Sequence, residues 1–331
     1  MRGKILLVIH TPAKHSIWRF PEEKAENLKK KFPEIEIHLR YEQKLEPSLI
    51  GKCQILVTGK INSEDFRKAK ELKWIHSPFT GIGNFLFPEL VNSRVLLTNS
   101  RGVNSPSVVE HIFGLMFAFS RYLYLSWKYQ SQKLWAQEII WNQKPLPREL
   151  SGRTIGIIGL GEIGQKLAER AKAFEMKVMG IRKNIEVKIP EVDLILPLSR
   201  LDFLLGNSDY VVLTLPRTKE TEGLIDYERL KKMKREAILI NVSRGKIIKE
   251  KDLVKALKEK LILGAGLDVF ENEPLLKESE LYSLPNVIIT PHVAGVSPHF
   301  WDNVYQLLCD NLNLYLKGLP LKNRVKKSEG Y

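Results

Sequence analysis

Short apolar runs alternate with amphipathic stretches from one end of the chain to the other, a pattern typical of α/β proteins. In the first hundred residues, apolar runs rich in β-branched residues predict five strands, and helical spacing predicts helices between several of them. The predicted strands cover residues 4–9, 34–39, 54–58, 73–77 and 94–98. Five such strands are enough for a small doubly wound parallel sheet.

A second series of strands and helices begins after Pro145 and Pro147, which mark a break in regular structure. A long apolar helix over 100–127 precedes this break, and an amphipathic helix over 297–317 follows the series. The strands of the second series are predicted at 154–159, 176–181, 210–215, 237–242, 263–270 and 286–290. The alternation therefore predicts an α/β chain with two domains, each a doubly wound parallel sheet.

The turn after the first strand of the second series carries a G-x-G-x-x-G pattern formed by Gly159, Gly161 and Gly164. The pattern alone is weak, but here it lies between a β-branched run and an amphipathic helix, inside a βαβ unit of about thirty residues. Gly159 would permit a tight turn, Gly161 would let a pyrophosphate approach the backbone, and Gly164 would let the helix pack on the strand. The amides near Glu162 and Ile163 would hold the pyrophosphate, so we expect a dinucleotide cofactor here.

The end of the next strand bears on the choice between the two nicotinamide coenzymes. An NAD site normally has Asp or Glu there, which accepts hydrogen bonds from the ribose hydroxyls. This chain has Arg182 and Lys183 instead, and no carboxylate before Glu186. A guanidinium binds phosphate through two parallel hydrogen bonds, so the pair favours NADP over NAD. The alternative is that both are surface charges and that backbone groups hold the ribose.

Three motifs that follow later strands contain candidate catalytic residues. Arg244 lies in NVSRG, where its guanidinium could hold a substrate carboxylate with two hydrogen bonds. LDVFENEP contributes the carboxylates of Asp268, Glu271 and Glu273, and TPHVAG contributes His292. Ligands of open α/β sheets bind beyond the carboxyl ends of the strands, so these side chains are placed for chemistry. Taken singly, a loop arginine or a lone histidine is at least as often structural.

Composition and charge narrow the class of protein. The chain has 331 residues, a formal net charge of +14 and two cysteines, Cys53 and Cys309, too few for a disulfide framework or a metal cluster. We find no targeting segment and no apolar run suited to a membrane span, so we expect a cytoplasmic protein without a metal site. The scattered basic residues lack interleaved aromatic residues, which favours a solvated lysine-rich surface over nucleic-acid binding.

Together these motifs resemble the D-isomer-specific 2-hydroxyacid dehydrogenase family over essentially the whole chain. GLGEIG, LTLPRTKETEGLI, NVSRG, LDVFENEP and TPHVAG occur in the family's order. The resemblance implies that Arg244 binds the substrate carboxylate and carbonyl, and that His292 is the acid/base with Glu273 as its partner. It also implies that Asp268 faces the nicotinamide carboxamide. Further implied cofactor contacts are Pro216, Thr221, Val242, Ser243 and Gly295.

The first half of the chain contains a segment, TGIG, that is similar to the family's substrate loop. The similarity implies that the backbone amides of Thr80, Gly81 and Ile82 bind the substrate carboxylate. Two positions depart from the family pattern, since Phe79 stands where a smaller residue is common and Gly83 follows where an acidic residue is usual. Both departures leave open how large the substrate is, but they do not affect the expected reaction.

These implied roles agree with the chemistry of reducing a 2-oxo acid. As hydride from the cofactor reaches the carbonyl carbon, the carbonyl oxygen gains negative charge and must receive a proton. Glu273 would stabilise the imidazolium form of His292, and Arg244 would supply fixed positive charge beside the oxyanion. The expected reaction is reduction of glyoxylate, hydroxypyruvate or a similar acid to the D-2-hydroxy acid by NAD(P)H.

The resemblance also implies how the domains are organised. We expect a flavodoxin-like substrate domain of residues 1–100 and 293–331 and a Rossmann cofactor domain of residues 101–292, with a cleft between them. The apolar helix at 108–127 exceeds what one sheet needs to cover it, so we also expect a homodimer.

Two alternatives remain open at the level of function. A 3-phosphoglycerate dehydrogenase-like activity is one, although the chain ends at Tyr331 without the C-terminal regulatory domain that this branch often adds. That ending favours a glyoxylate or hydroxypyruvate reductase. The other alternative is a dinucleotide-sensing regulatory protein on the same fold. Its weakness is that a sensor needs no acid/base pair such as His292 and Glu273.

Overall fold

The computed structural model describes residues 4–329 and divides into two compact units. Within these residues, unit 1 covers 4–104 and 297–329, and unit 2 covers Ser105–Val296. The strands of unit 1 are β1 (Ile5–His10), β2 (Ile35–Arg40), β3 (Ile55–Thr58), β4 (Trp74–Ser77) and β5 (Leu96–Asn99). Those of unit 2 are β6 (Thr154–Ile158), β7 (Lys177–Ile181), β8 (Leu194–Leu196), β9 (Tyr210–Leu213), β10 (Ile238–Asn241), β11 (Gly264–Leu267) and β12 (Val287–Ile289).

The helices lie between these strands along the chain. The first four are α1 (Glu22–Lys31), α2 (Pro47–Lys52), α3 (Ser63–Lys68) and α4 (Pro88–Val91). Unit 2 contains α5 (Ser105–Ser120), α6 (Leu123–Ser131), α7 (Gln137–Trp141), α8 (Glu162–Ala173), α9 (Leu201–Asn207), α10 (Tyr227–Leu230) and α11 (Glu250–Lys258). The last helix, α12 (Phe300–Leu316), returns to unit 1. None of the helices within residues 4–329 combines the length and the apolar character that a membrane span requires.

Unit 1 is built on a five-stranded parallel sheet in the order β2-β1-β3-β4-β5, the flavodoxin-like arrangement. Its strands are nearly continuous apolar runs because helices cover both faces of a parallel sheet. On one face, α12 places Val304, Leu308 and Leu312 in the same core cluster as Leu7 and Ile9 of β1. The two segments of unit 1 therefore share one core.

Unit 2 is built on a seven-stranded parallel sheet in the order β12-β11-β10-β9-β6-β7-β8. The direction of strand addition reverses between β6 and β9, which is the topological switch point of a Rossmann-type sheet. Thr214, just after β9, donates its hydroxyl hydrogen bond to the carbonyl of Gly159 at 2.7 Å. The two parallel sheets confirm the predicted fold class, and the switch point adjoins the glycine turn.

Two differences from the sequence-based elements have a clear structural cause. The helix expected over 100–127 is two helices, because Tyr122 adopts a left-handed backbone conformation with φ of 53° between α5 and α6. The tyrosine side chain is buried and its hydroxyl donates to the carbonyl of Pro145 at 2.6 Å, which holds this break in place. Strand β8 was not predicted, since it has three residues at the edge of the sheet.

Candidate active site

The glycine turn between β6 and α8 needs two of its three glycines for its own packing. Gly159 has φ of 111°, and a Cβ there would lie 2.8 Å from the backbone nitrogen of Leu215. A Cβ on Gly164 would lie 2.2 Å from the carbonyl oxygen of Gly159. Gly161 is different, because a Cβ there would meet nothing within 4 Å. The backbone at Gly161 therefore borders open space, as a bound pyrophosphate requires.

Free amides at the start of α8 also indicate a site for a pyrophosphate. The first hydrogen bond of this twelve-residue helix runs from the Gln165 N–H to the Gly161 carbonyl at 2.9 Å. Within the described part of the chain, the N–H groups of Glu162 and Ile163 have no acceptor. Unpaired amides at a helix N-terminus carry partial positive charge and bind phosphate. The turn thus fits the pyrophosphate of a nicotinamide dinucleotide, which would supply hydride when bound.

Arg182 reaches this turn from the end of β7. Its backbone N–H donates to the Leu196 carbonyl at 3.0 Å, and its Nη1 donates to the Leu160 carbonyl at 3.1 Å. The guanidinium is therefore held beside the glycine turn instead of extending into solvent. Lys183 follows as an exposed residue, and Glu186, the first carboxylate downstream, is also exposed. The positive charge at the end of this strand is a positioned guanidinium.

His292 and Glu273 come from different loops of unit 2 and meet. The Nδ1 of His292 lies 2.6 Å from Oε2 of Glu273, and the other oxygen, Oε1, accepts the Phe270 N–H at 3.0 Å. The His292 side chain is 52% exposed, so its ring is accessible. Its backbone is left-handed, with φ of 55°, which is rare for a residue with a side chain. Such strain persists only where the surroundings enforce it.

Asp268 holds the backbone of the His292 loop in this conformation through hydrogen bonds. It is 1% exposed, and its backbone carbonyl accepts the His292 N–H at 2.9 Å. Its Oδ1 accepts from the Thr290 hydroxyl at 2.7 Å and the Val293 N–H at 2.9 Å, while its Oδ2 accepts the Ala294 N–H at 3.0 Å. The carboxylate therefore serves the protein backbone on both oxygens, with one acceptor site of Oδ2 left for a further donor.

Arg244 is half-buried in the loop after β10. Its Nη1 donates to the Ser243 carbonyl at 2.5 Å, and its own carbonyl accepts from Nδ2 of Asn241 at 3.1 Å. Burial lowers the pKa of the Arg244 guanidinium, and the nearby Glu273 carboxylate opposes that shift. The next residue, Gly245, touches the Phe270 backbone so closely that a Cβ would lie 1.8 Å from its carbonyl carbon. This contact fixes the arginine loop against the glutamate loop.

The remaining cofactor-site candidates lie beyond the carboxyl ends of the unit 2 strands. Pro216 and Thr221 follow β9 and are joined by a hydrogen bond from the threonine hydroxyl to the proline carbonyl at 2.8 Å. Val242 and Ser243 follow β10 directly, and Gly295 follows the His292 loop after β12. Unit 2 thus gathers the predicted cofactor residues at one edge of its sheet. Sequence reasoning did not single out Thr214 and Thr290, whose only signal was their place at strand ends.

The predicted substrate loop follows β4 in unit 1. No acceptor within residues 4–329 bonds the N–H groups of Thr80, Gly81 or Ile82. Consecutive unpaired backbone amides are the kind of donors that bind a carboxylate. Phe79 packs within unit 1 against the rings of Trp18 and Phe300, with centroids 5.9 and 6.0 Å away.

Comparison with known proteins assigns this geometry to a family. Residues 113–294 match the family model described as D-isomer specific 2-hydroxyacid dehydrogenase, NAD binding domain. The chain is 37% identical over 265 residues to the glyoxylate reductase of Pyrococcus furiosus. The alignment covers 80% of this chain and 78% of the relative.

Solved structures agree over nearly the full length. A D-isomer specific 2-hydroxyacid dehydrogenase family protein from Aeromonas salmonicida has a TM-score of 0.83 and 32% identity, covering 98% of this chain and 99% of that one. The NADPH-dependent glyoxylate/hydroxypyruvate reductase of Sinorhizobium meliloti has a TM-score of 0.81 and 26% identity, covering 99% and 100%. Because the family model spans more than half of the chain, this protein belongs to the D-isomer-specific 2-hydroxyacid dehydrogenase family of NAD(P)-dependent oxidoreductases.

Proposed function

We propose that this protein reduces a small 2-oxo acid, glyoxylate or hydroxypyruvate, to the corresponding D-2-hydroxy acid. The observation that carries the proposal is the 2.6 Å contact between Nδ1 of His292 and Oε2 of Glu273. A histidine that donates from Nδ1 to a carboxylate keeps its other nitrogen, Nε2, available to donate a proton. The family supplies the reaction class, and this pair supplies the acid that the reaction needs.

Each residue has a defined part in the proposed reaction. The Arg244 guanidinium binds the substrate and stabilises the negative charge that develops on the carbonyl oxygen. His292 gives the Nε2 proton to that oxygen, and Glu273 holds Nδ1 and orients the ring. The amides of Thr80, Gly81 and Ile82 bind the carboxylate. The product therefore gains one hydride at carbon and one proton at oxygen.

We propose NADPH as the preferred reductant. The Arg182 guanidinium is held at the glycine turn through the Leu160 carbonyl, on the strand that ends where the adenosine ribose binds in Rossmann-type sheets. A fixed guanidinium there pairs with a 2′-phosphate, which NADPH has and NADH lacks. The Sinorhizobium meliloti reductase, which is NADPH-dependent by name, is consistent with this preference.

We also propose a homodimer. The segment from α6 to Leu146 exposes a group of large apolar side chains: Trp127, Leu134, Trp135, Trp141 and Leu146. Large apolar side chains that are exposed together in one short segment favour an interface. A second copy of the chain is the occupant that the composition favours, since the group is apolar and uncharged as homodimer interfaces are.

Steady-state kinetics with two coenzymes and four acids tests the activity. We expect glyoxylate and hydroxypyruvate to be reduced with NADPH, at higher kcat/KM than with NADH. Pyruvate and 3-phosphohydroxypyruvate complete the panel, and a preference for the phosphorylated acid would replace the proposed substrate class. A protein that binds NADPH in a fluorescence titration but reduces none of the four acids would instead be a dinucleotide sensor.

A further inference from the structure

We propose that Asn99 is a positioning residue that aims the Gly81 N–H at the substrate carboxylate. The inference rests on the proposed reductase function and concerns how unit 1 holds its amide loop. Asn99 is the last residue of β5, paired with Ser77 at the end of β4, so it lies beside the start of this loop. Nothing in the sequence motifs singles it out, and its role emerges from its contacts.

Both ends of the Asn99 side-chain amide are occupied by backbone. Its Nδ2 donates to the Thr80 carbonyl at 2.9 Å, and its Oδ1 accepts the Arg101 N–H at 3.3 Å. Because one partner can only accept and the other can only donate, the orientation of the amide is fixed. Asn99 is 6% exposed, so water does not compete freely for these bonds.

The bond to the Thr80 carbonyl determines the direction of the following N–H. In a planar trans peptide, the carbonyl of Thr80 and the N–H of Gly81 point in opposite directions. Anchoring the carbonyl oxygen on Asn99 therefore turns the Gly81 N–H away from that side chain. No acceptor within residues 4–329 takes up this N–H, which leaves it for a ligand.

The residues just before Thr80 are held in the same manner. The Ser77 hydroxyl bonds to the Phe79 carbonyl at 3.0 Å and accepts the Phe79 N–H at 3.2 Å. The Ser100 hydroxyl donates to the Ser77 carbonyl at 3.0 Å, and the Ser100 N–H donates to the Phe79 carbonyl at 3.4 Å. The carbonyls of Ser77, Phe79 and Thr80 are thus all bonded to side chains or backbone within unit 1.

A buried chain of hydrogen bonds supports these contacts. Trp74 Nε1 donates to the Thr98 hydroxyl at 2.8 Å, and that hydroxyl lies 2.8 Å from His76 Nδ1. His76 Nε2 lies 3.3 Å from the Ser100 hydroxyl, which donates onward to Ser77. All the donors can point one way along this chain if His76 is neutral with its proton on Nε2. Full burial lowers the pKa of His76 to about 3, which keeps it neutral.

Asn311 offers a matched control for the loss of such an amide. It is fully buried in α12, its Nδ2 donates to the Lys322 carbonyl at 3.2 Å, and its Oδ1 accepts the Lys322 N–H at 2.7 Å. This is the same bonding pattern in the same unit, but it holds the C-terminal segment instead of the loop. Asn311→Ala therefore reports the structural cost of losing a buried amide without touching the loop.

The experiment compares Asn99→Ala and Asn311→Ala in the full-length enzyme. Asn99→Ala should raise the KM for glyoxylate by about tenfold, the equivalent of one hydrogen bond, and leave kcat within about twofold. KM should change and kcat should not, because the Gly81 N–H binds the carboxylate equally in the ground state and the transition state. The inhibition constant of oxalate should rise by a similar factor, while the Kd of NADPH should not change. Asn311→Ala should leave all of these constants at their wild-type values.

Asn99→Ser serves as a second variant if Asn99→Ala does not fold, since its short hydroxyl cannot span the same distance. An unchanged KM for either variant, or an equal rise in KM for Asn311→Ala, would overturn the positioning role while leaving 2-oxo acid reduction intact. A wild-type protein that reduces no 2-oxo acid would overturn both proposals, so the two failures are distinguishable.

Discussion

At the scale of single residues, the two nitrogens of the His292 ring have different environments. Nδ1 is occupied by Glu273, and the side chain is 52% exposed, so Nε2 is the proton donor in the proposed reaction. His292→Ala should lower kcat by roughly 10²–10⁴-fold, the usual contribution of a general acid, with little change in the Kd of NADPH. Single-turnover and steady-state measurements with glyoxylate would show this directly.

The control for that variant is His299→Ala. His299 is an exposed histidine of unit 1 that pairs with Asp302 at 3.5 Å and has no part in the proposed reaction. It should retain wild-type kcat. If His292→Ala also retained wild-type kcat, the proton donor would have to be another group.

Arg182 gives a prediction about coenzyme choice. Arg182→Gln removes the charge that would pair with the 2′-phosphate, so the Kd of NADPH should rise by roughly 10- to 100-fold, the value of a charge-assisted hydrogen bond. The Kd of NADH should change little, because NADH has no phosphate at that position. Fluorescence titration with each coenzyme measures both constants. An equal loss of affinity for both would remove the proposed NADPH preference.

Arg200→Gln is the matched control for the change in charge. Arg200 also lies in unit 2, but its guanidinium stacks over the Phe203 ring with its carbon 4.9 Å from the centroid. We expect its loss to leave both coenzyme constants unchanged.

Candidate site residues could be named from the sequence, but their hydrogen bonds could not. Glycine spacing pointed to Gly159, and the family resemblance pointed to Arg244 and His292, which as single residues at strand ends could equally have been structural. The sequence did not reveal that Asp268 bonds the His292 loop with both oxygens, or that Asn99 holds the Thr80 carbonyl. Such contacts join positions distant in the chain, and they depend on register and side-chain direction, which no local pattern encodes.

At the scale of elements, the contact between the loops after β10 and β11 organises the candidate site. Gly245 touches the Phe270 backbone, so any side chain at this position must push the two loops apart. Gly245→Ala should therefore lower kcat/KM by at least about 10²-fold, because displacement of a catalytic group by about 1 Å has that effect. It should also lower the melting temperature, as overpacking costs about 1–3 kcal/mol.

Gly114→Ala is the control for adding a methyl group. Gly114 lies inside α5, where a Cβ would meet nothing within 4 Å. Alanine favours the helix interior over glycine by roughly 0.5–1 kcal/mol, so this variant should melt at the same or a higher temperature with unchanged kcat/KM. A Gly245→Ala enzyme with wild-type kinetics would show that the loops can separate without disturbing Arg244.

Strands that are buried along their whole length could be predicted from sequence. A short edge strand and a break between two helices could not. Strands buried on both faces, such as β1 and β9, were visible as apolar runs. Strand β8 has an exposed, a half-buried and a buried residue at a sheet edge, so its three apolar residues gave no distinctive pattern. The break at Tyr122 was hidden as well, since a left-handed tyrosine has no sequence signature and this one is held by the distant Pro145 carbonyl.

At the scale of the whole molecule, the net charge of +14 is spread over a surface where many lysines pair with nearby carboxylates. Lys68 bonds Glu64 at 2.6 Å one helical turn away, and Lys172 bonds Asp193 at 2.6 Å across two elements. Exposed pairs of this kind contribute little to stability, but they keep the surface solvated. Solvation does not account for the exposed large apolar side chains. A group of them lies in the segment after α5, from Trp127 to Leu146.

The exposed group from Trp127 to Leu146 therefore predicts the state of assembly. Trp135 is 84% exposed, the highest value among the large apolar side chains, and Trp141 is also exposed. If a second copy covers them, the wild-type protein should run as a dimer in light scattering. The double variant Trp135→Glu/Trp141→Glu should shift toward monomer because buried unpaired carboxylates are costly. Leu276→Glu, an equally polar change at an exposed leucine of unit 2 outside this group, should remain dimeric. A wild-type monomer at micromolar concentration, or equal dissociation of the Leu276→Glu control, would contradict an interface at these tryptophans.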